Sequence, residues 1–348
     1  MKKTLLFSAL FISTILLLNG ETSMNASKPP HHADKGFRNL SPDAQMRNLL
    51  DVIRWQTENI FKKLPSRNPK DYSFTVYSND GYELKKNREQ FSATWVGHAT
   101  VLIQIDGKNI LTDPIWSERC SPVGFAGPKR YTAPGIDIDR LPKIDAVVIS
   151  HNHYDHMDIP TLKVLDKKFS PVIYAGLRNR EFLKSEGLKN PVELDWWQSD
   201  ESAGIKITFT PTQHFSGRGV LDHGETLWGS YVIEGKTKKA YFAGDTAYFS
   251  GFAEIGNKFP KIDLAILPIG AYEPRWFMKP VHMNPEESVK TFLDLKADNM
   301  LPMHYQTFVL TDEPLDEPLR LTKELFEKNG ISLTRLADLK IGESRFWK

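Results

Sequence analysis

The chain has 348 residues, of which 40% are hydrophobic and 25% charged. This is ordinary globular composition and argues against extensive disorder. The 45 basic and 43 acidic residues give a net charge of +2, so the sequence lacks the clustered basic excess that marks nucleic-acid partners. The single cysteine, Cys120, excludes an intrachain disulfide.

The first twenty residues have the features of an export signal. Lys2 and Lys3 precede an apolar run from Leu5 to Leu18. A spanning helix needs about 20 apolar residues, so this run is short for one. We expect residues 1–20 to be a signal peptide or, alternatively, an N-terminal membrane anchor. The protein is then exported, and is periplasmic or attached to the membrane through its N-terminus.

Residues 21–40 are polar and show no periodicity, which predicts a flexible tether with His31 and His32 solvated. Ser41, followed by a proline and an aspartate, is typical of a helix start. We therefore predict an N-terminal helix over 41–63. Its apolar face either packs on the domain or lies at a membrane surface.

The remaining chain alternates strands and helices. A hairpin is predicted over 91–114, turning at Asp106-Gly107. Further strands are predicted at 144–150, 172–175, 205–210, 228–234, 239–243 and 263–268. Helices are predicted at 161–168, 178–186, 285–297 and 315–328, the third capped by Asn284. This order predicts one α/β domain over 41–348, with two sheets between layers of helices.

Four potential metal ligands follow the predicted strand 144–150 within six residues. They are His151, His153, Asp155 and His156. A loop that leaves a strand end can direct such side chains towards two adjacent metal ions. Imidazole and carboxylate groups are ligands that zinc accepts, so this pattern is a strong indication of a metal site.

Three more candidate ligands lie near the ends of other apolar segments. His214 follows strand 205–210, Asp245 follows strand 239–243, and His304 follows the apolar residues 300–303. Sites in layered folds gather at the carboxyl ends of strands. Each residue is unremarkable alone, but together they predict a site with ligands from four parts of the chain.

The amino-acid sequences of several segments resemble those of the metallo-β-lactamase superfamily, and within it those of the N-acylphosphatidylethanolamine-hydrolysing phospholipase D branch. The similarity covers roughly residues 40 to 345, and the stretch YEPRWFMKP is specific to this branch. The matching segments are WVGHAT (95–100), TDP (112–114), SHNHYDHMD (150–158), LPIGAYEPRWFMKPVHMNPEE (267–287) and PMHYQTF (302–308).

The resemblance implies the αββα four-layer sandwich of the metallo-β-lactamase fold and two Zn²⁺ ions. It assigns one zinc to His151, His153 and His214, and the other to Asp155, His156 and His304, with Asp245 bridging them. Other divalent metals suit the same ligands. Asp155 is also a candidate for proton transfer, and His282 is expected on the substrate side. The residues expected to take part in catalysis are therefore Asp155, Asp245 and His282.

Further residues are candidates for supporting or substrate-binding roles. Asp113 could hold a metal-bound histidine or serve only a turn, and His98 could be a core histidine or contact the substrate. The stretch around Arg275 joins aromatic and basic side chains, which suits a lipid interface, although core packing is the alternative. The substrate-binding candidates are Tyr154, Tyr272, Arg275, Trp276, Phe277 and Lys279.

The function expected from these features is a zinc-dependent phosphodiesterase of the phospholipase D type. It would release N-acylethanolamine and phosphatidic acid from N-acylphosphatidylethanolamine, or act on a related phosphodiester, at a membrane surface. The alternatives are a metal-dependent lactonase of the same fold and a non-catalytic, membrane-associated protein that binds metal or lipid. Nothing in the sequence predicts an oligomeric state.

Overall fold

The computed structural model describes residues 28–41, 44, 47–66, 68, 71–219 and 221–347. The predicted signal peptide or anchor, 1–20, lies outside this part of the chain. The strands are β1 Phe91–Gly97, β2 Thr100–Ile105, β3 Lys108–Thr112, β4 Ala146–Val148, β5 Val172–Gly176, β6 Pro191–Leu194, β7 Ser199–Asp200, β8 Lys206–Thr210, β9 Ser230–Glu234, β10 Lys239–Phe242, β11 Leu264–Pro268, β12 Asn299–Met303 and β13 Ser344–Trp347. The helices are α1 Leu49–Phe61, α2 Tyr82–Lys86, α3 Ile159–Phe169, α4 Arg180–Ser185, α5 Gly251–Lys258, α6 Arg275–Met278, α7 Pro285–Asp294 and α8 Glu317–Lys328.

The strands pair into two mixed sheets. Within the described residues, one sheet has the order β13-β1-β2-β3-β4-β5-β6 and the other β12-β11-β10-β9-β8-β7. Strands β3 to β6 run parallel, as do β10 to β12. The predicted turn is present between β2 and β3, and Asp106 and Gly107 both have positive φ, as the tightest hairpin turn requires. The segment before this turn was predicted as one strand, but it forms the two antiparallel strands β1 and β2.

Side-chain alternation along the strands separates the layers, because successive residues of a strand point to opposite faces. One face of the first sheet packs on α3 and α4 through Leu102, Leu111, Val147, Ile173, Leu162, Leu165 and Leu183. The other face joins the second sheet and its helices through Ile103, Ile110, Val148, Tyr174, Phe242, Phe252, Val289 and Phe326. The predicted four-layer αββα sandwich is therefore confirmed.

The N-terminal helix is shorter than predicted. It begins at Leu49, and its cap is Asn48, which exchanges hydrogen bonds with Asp51 in a capping box. The predicted start at Ser41 is therefore wrong, and the two residues after Ser41 lie outside the described part of the chain. No helix among the described residues is long and apolar enough to cross a bilayer.

The second half of the predicted tether is packed on the domain rather than flexible. The Phe37 N–H donates to the carbonyl of Gly224 at 2.7 Å, and His31 is buried against Trp196, with ring centroids 4.3 Å apart. The expectation that His31 is solvated is wrong, because a partner 164 residues away accepts its hydrogen bond. Residues 21–27 lie outside the described residues.

Candidate metal centre

The histidine loop turns sharply after β4. The N–H groups of His156 and Met157 both donate to the carbonyl of His153, at 3.1 and 2.8 Å. This turn holds the side chains of residues 151–156 at the carboxyl end of the first sheet. His214 follows β8, Asp245 follows β10 and His304 directly follows β12. The structure thus brings all seven predicted ligands together at one edge of the sandwich.

Three imidazoles form the first group of donors. His151 Nε2 lies 2.8 Å from His153 Nδ1, and His214 Nε2 lies 3.4 Å from the same atom. In a tetrahedral site with Zn–N bonds of about 2.0–2.1 Å, neighbouring ligand atoms are about 3.4 Å apart. The three nitrogens are close to that spacing, so they can share one metal ion.

The second group combines a carboxylate with two imidazoles. His156 Nε2 lies 3.2 Å from Asp155 Oδ2 and 3.3 Å from His304 Nε2. Asp155 Oδ2 and His304 Nε2 are 3.4 Å apart. His98 belongs to the same cluster of potential ligands. These spacings are again those of atoms able to bind one common cation.

Asp245 lies between the two groups. Its Oδ2 is 3.1 Å from His156 Nε2 and 3.9 Å from the Nε2 atoms of His151 and His214. Its Oδ1 is 3.2 Å from His304 Nε2. The position of this carboxylate lets it contact ions held by either group.

Five of the seven donors have a protonation state that suits a divalent cation without change. Burial lowers the pKa of His151 well below its usual value, that of His153 to about 3 and that of His214 to about 4. Burial alone would raise the pKa of Asp155 and Asp245, but the neighbouring His156 holds both well below the usual range. Neutral imidazoles and ionised carboxylates are the forms that bind metal. Burial alone would lower the pKa of His156 and His304, but the neighbouring Asp245 raises that of His156 well above its usual value and that of His304 to about 9, so these two rings must lose a proton to bind an ion.

Buried polar atoms at the centre also lack partners within the described protein. Asp245 Oδ1 and His282 Nδ1 are buried with no hydrogen bond. A buried polar atom left unpaired costs free energy, unless another group satisfies it. The donor set and the unpaired carboxylate oxygen therefore fit a bound metal ion.

Asp113 connects ligands of the two groups. Its Oδ2 lies 2.6 Å from His156 Nδ1 and 2.5 Å from Ser150 Oγ, which in turn lies 2.9 Å from His151 Nδ1. A carboxylate on the outer nitrogen fixes the tautomer and orientation of a ligating histidine. Asp113 thus has the supporting position considered for it in the sequence, and Ser150 extends it to a second histidine.

His98 contacts a candidate ligand rather than open space. It is buried, and its Nε2 lies 2.9 Å from Asp155 Oδ2. Burial lowers the pKa of His98 to about 3, so the neutral ring donates its Nε2–H to the carboxylate. This contact orients Asp155 towards His156 and His304.

His214 is held by backbone contacts that the sequence reading did not include. Its Nδ1 lies 2.8 Å from the carbonyl of Val281. Its own peptide N–H donates to Asn39 Oδ1 at 3.1 Å, and Asn39 Nδ2 donates to its carbonyl at 2.8 Å. Asn39 lies in the predicted tether, and no local pattern marks it as part of the site.

The backbone at the site is unusual in several places. The backbone of His98, Asp113 and His304 has φ values of 53°, 31° and 65°. Residues other than glycine rarely adopt this region. Gly244, beside Asp245, has φ of 59°, and a Cβ there would lie 2.3 Å from Ser150 Cβ. Such conformations concentrate where side chains must be aimed at a functional site.

The predicted substrate residues do not share one surface. The Tyr154 hydroxyl donates to the carbonyl of Arg218 at 3.0 Å, and the Arg218 guanidinium covers its ring. Tyr272 is buried and bonds Glu317 at 2.7 Å. The contacts of Tyr272 are structural, because its hydroxyl points to α8 rather than into the centre.

Arg275 and Trp276 of α6 line a cavity that extends to Gln213, the residue before the candidate ligand His214. Arg275 donates to the carbonyl of His282 at 3.0 Å and to Glu287 at 2.8 Å, so it positions His282. Trp276 and Phe277 pack against α1. The exposed Lys279 lines a cavity of about 620 Å³ together with Arg275, Trp276 and Gln213.

Two helix-covered sheets with histidine and aspartate donors at the strand ends define a metallo-hydrolase of the metallo-β-lactamase fold. The model of the β-lactamase superfamily domain matches residues 108–305. The chain belongs to this family and is a metal-dependent hydrolase.

Two relatives are similar over most of the chain. An N-acyl-phosphatidylethanolamine-hydrolyzing phospholipase D of Caenorhabditis elegans is 34% identical over 89% of this chain and 90% of its own. An uncharacterized protein of Mycobacterium tuberculosis is 38% identical over 84% of this chain and 79% of its own. Within the family, the chain therefore resembles the phospholipase D branch.

A solved structure shares the fold at lower identity. The isothiocyanate hydrolase from Delia radicum gut bacteria matches with a TM-score of 0.59 at 22% identity. The match covers 74% of this chain and 99% of the other. At this identity the likeness bears on the fold alone.

Proposed function

We propose that this hydrolase uses two zinc ions to cleave the phosphodiester bond of N-acylphosphatidylethanolamine or a related lipid, as a phospholipase D does. The products are N-acylethanolamine and phosphatidic acid. The observation that carries the proposal is the relative from Caenorhabditis elegans, whose name states this activity and which is 34% identical over 89% of the chain. The two adjacent groups of donors support a pair of ions.

The chain's own residues divide the work of holding the ions. One ion would be held by His151, His153 and His214, the other by Asp155, His156 and His304, and Asp245 could contribute to either. When bound, the ions lower the pKa of water and neutralise charge on the phosphate. Asp113 and His98 keep two of the ligands in place through the contacts at 2.6 and 2.9 Å.

His282 is the residue to which we assign proton transfer. Its Nδ1 is buried without a partner and lies 4.0 Å from Asp245 Oδ2. Burial lowers its pKa well below the usual value, so the ring is neutral before the substrate binds. The negative charge of the substrate phosphate would raise the pKa again, which lets Nδ1 accept a proton. Overall, water adds at phosphorus and the bond to the ethanolamine oxygen breaks. His282 takes a proton from the water and returns it to that oxygen.

A membrane surface is the proposed location of the substrate, because α1 directs apolar side chains outward. Its inner side is held by Trp55 and Asn59, which both donate to Asp312 at 2.7 and 2.9 Å. No residue of α1 is buried. The side chains that are more than half exposed are Leu49, Leu50, Ile53, Ile60 and Phe61.

An exposed apolar helix face of this kind, with the basic residues Arg54 and Lys62 on or next to the same helix, suits the boundary between lipid headgroups and acyl chains. Helix α1 also packs on Phe277 and on Trp276, and Trp276 lines the cavity that reaches Gln213. We further propose that the protein is exported and acts in the periplasm or attached to the membrane through residues 1–20. The apolar face of α1 would then keep the cavity next to the lipid.

The test is hydrolysis of N-acylphosphatidylethanolamine in vesicles by the purified full-length protein loaded with zinc. We expect release of N-acylethanolamine and phosphatidic acid, measured by mass spectrometry. A chelator should stop the release, and added zinc should restore it. Protein with two bound ions that releases neither product contradicts the proposed substrate. Parallel assays with a lactone and with a soluble phosphodiester would then separate the remaining activities of this fold.

A further inference from the structure

Two neighbouring histidines and a distant aspartate meet outside the catalytic groups. His31 Nε2 lies 2.6 Å from Asp195 Oδ1, and His32 Nε2 lies 2.8 Å from Asp195 Oδ2. The potential ligand atoms all lie within 4.8 Å of one another. Asp195 directly follows β6, an edge strand of the first sheet. None of the three residues belongs to the donor groups of the metal centre.

We propose that His31, His32 and Asp195 form an additional metal site that binds one divalent transition-metal ion such as Zn²⁺. Two imidazole nitrogens and one carboxylate oxygen are an established donor set for zinc, with water in the fourth position. The site is independent of the catalytic ligands, and its role is structural. It fastens the N-terminal segment to the edge of the first sheet.

The segment around the two histidines is folded so that both rings face Asp195. The supporting backbone bonds run from the N–H of His32 to Pro29, of Ala33 to Gly36, and of Arg38 to His31. The His31 ring also stacks on Trp196, with centroids 4.3 Å apart. A site assembled before the ion arrives loses less conformational entropy when it binds.

The surroundings keep the donors partly out of water. The side chains of His31, His32 and Asp195 are exposed to 8%, 23% and 14%. Burial lowers the pKa of His31, which favours the neutral ring. An ion at Nε2 would take the place of the proton that this atom now donates to Asp195, and the ring would keep its proton on Nδ1. The partial exposure of His32 leaves room for a water ligand.

The same segment continues to the catalytic centre. Phe37 is hydrogen-bonded to Gly224, and the Asn39 side chain is hydrogen-bonded to both the N–H and the carbonyl of His214. An ion at the additional site would therefore stabilise the segment that supports a catalytic histidine. It would do so without contacting the catalytic ions.

The test is a count of metal ions in full-length protein without a histidine tag. The protein is stripped with a chelator, reloaded with Zn²⁺, freed of excess metal and analysed by mass spectrometry. We expect the His31→Ala/His32→Ala variant and the Asp195→Asn variant each to bind one ion fewer than the unaltered protein. This difference holds whatever number the catalytic centre binds, so it is separate from the proposed activity.

A control histidine is available. Of the ten histidines, all of which lie in the described part of the chain, only His223 belongs to no cluster of potential metal ligands. His223→Ala should keep the full count. The His151→Ala/His153→Ala variant should lose zinc from the catalytic centre. Adding Asp195→Asn to that variant should lower its metal count by one further ion. Equal counts in the unaltered protein and the two variants would show that Asp195 only accepts hydrogen bonds, and would overturn the proposal.

Proteolysis supplies a second readout if the double variant is unstable. Lys35 and Arg38 are trypsin sites within the segment, and the Lys35 side chain is 80% exposed. Zn²⁺ should slow cleavage there at least about fivefold in the unaltered protein and not in the single variant His32→Ala. The reason is that binding of the ion stabilises the packed form of the segment by mass action. Equal cleavage rates with and without Zn²⁺ in the unaltered protein would also overturn the proposal.

Discussion

Asp113 Oδ2 lies 2.6 Å from His156 Nδ1, and both side chains are fully buried. The carboxylate therefore fixes which nitrogen of His156 faces the metal centre. Through Ser150 Oγ, at 2.5 Å, it also reaches the ring of His151. One aspartate outside the two donor groups thus contacts a histidine of one group directly and a histidine of the other through Ser150.

The first prediction concerns this contact. Asp113→Asn keeps the shape but removes the charge that holds His156, so metal affinity should fall about 10- to 100-fold. Zinc competition with a chromophoric chelator measures the change. Ser150→Ala should have a smaller effect, because the carboxylate remains. Unchanged affinity in Asp113→Asn would mean that the buried contact does not orient the ligand.

The second prediction concerns the shared carboxylate. His151→Ala and Asp245→Ala should both lose bound metal, and turnover should fall at least about a thousandfold, since bound ions supply several kcal/mol of transition-state stabilisation. Metal analysis and the lipid assay report the two effects separately. Asp294→Asn is the matched control, as this carboxylate bonds Tyr248 at 2.7 Å and lies outside the donor groups. Retained turnover in either variant would refute the site.

The third prediction separates proton transfer from metal binding. His282→Ala should keep the metal content while kcat falls about 10²- to 10⁴-fold, the usual contribution of a general acid or base. Loss of one ion in this variant would instead make His282 a ligand. Arg275→Lys should lower kcat less, because Arg275 contacts the backbone carbonyl of His282 rather than its ring.

The fourth prediction concerns the outward face of α1. Ile53→Glu/Phe61→Glu should weaken binding to anionic vesicles at least about tenfold, because each fully buried side chain of this size contributes about 1.5–3 kcal/mol. Co-sedimentation measures the binding. Val164→Glu on α3 is the control, since Val164 is also an exposed apolar residue. Turnover of a soluble phosphodiester should be equal in both variants. If the Ile53→Glu/Phe61→Glu variant bound vesicles as well as the control variant does, the proposed membrane surface would be contradicted.

The sequence was most informative where ligands follow strands directly. Residues 151–156 come at the end of a buried apolar run, and strand ends in layered folds meet at one edge. His214, Asp245 and His304 follow β8, β10 and β12 in the same way. The convergence of all seven ligands could therefore be predicted without any knowledge of long-range contacts.

The sequence did not predict contacts between residues that are distant along the chain. His31 and Asp195 are 164 residues apart, and Tyr272 and Glu317 are 45 apart. Nothing local shows that a polar tether finds a carboxylate or that an aromatic loop turns inward. Burial of these side chains depends on which surfaces the two sheets leave open, and a pattern of residue types does not encode that choice.

The misplaced start of α1 has a different cause. Ser41 followed by a proline is a common start signal, but Asn48 with Asp51 three residues later forms a capping box. The two signals compete, and the capping box satisfies two backbone N–H groups at once. The second signal was present in the sequence, so this error was avoidable.

The contacts of Asn39 have a consequence for the order in which the protein is made. A chain synthesised from its N-terminus carries Asn39 long before His214, its partner 175 residues later. The support of His214 is therefore completed only after β8 has been made, and the loop that it closes is long. A fusion partner placed directly before Asn39 would replace residues 28–38, the segment that precedes the contact between Asn39 and His214. A shortened form of this enzyme should therefore retain the residues from 28 onward.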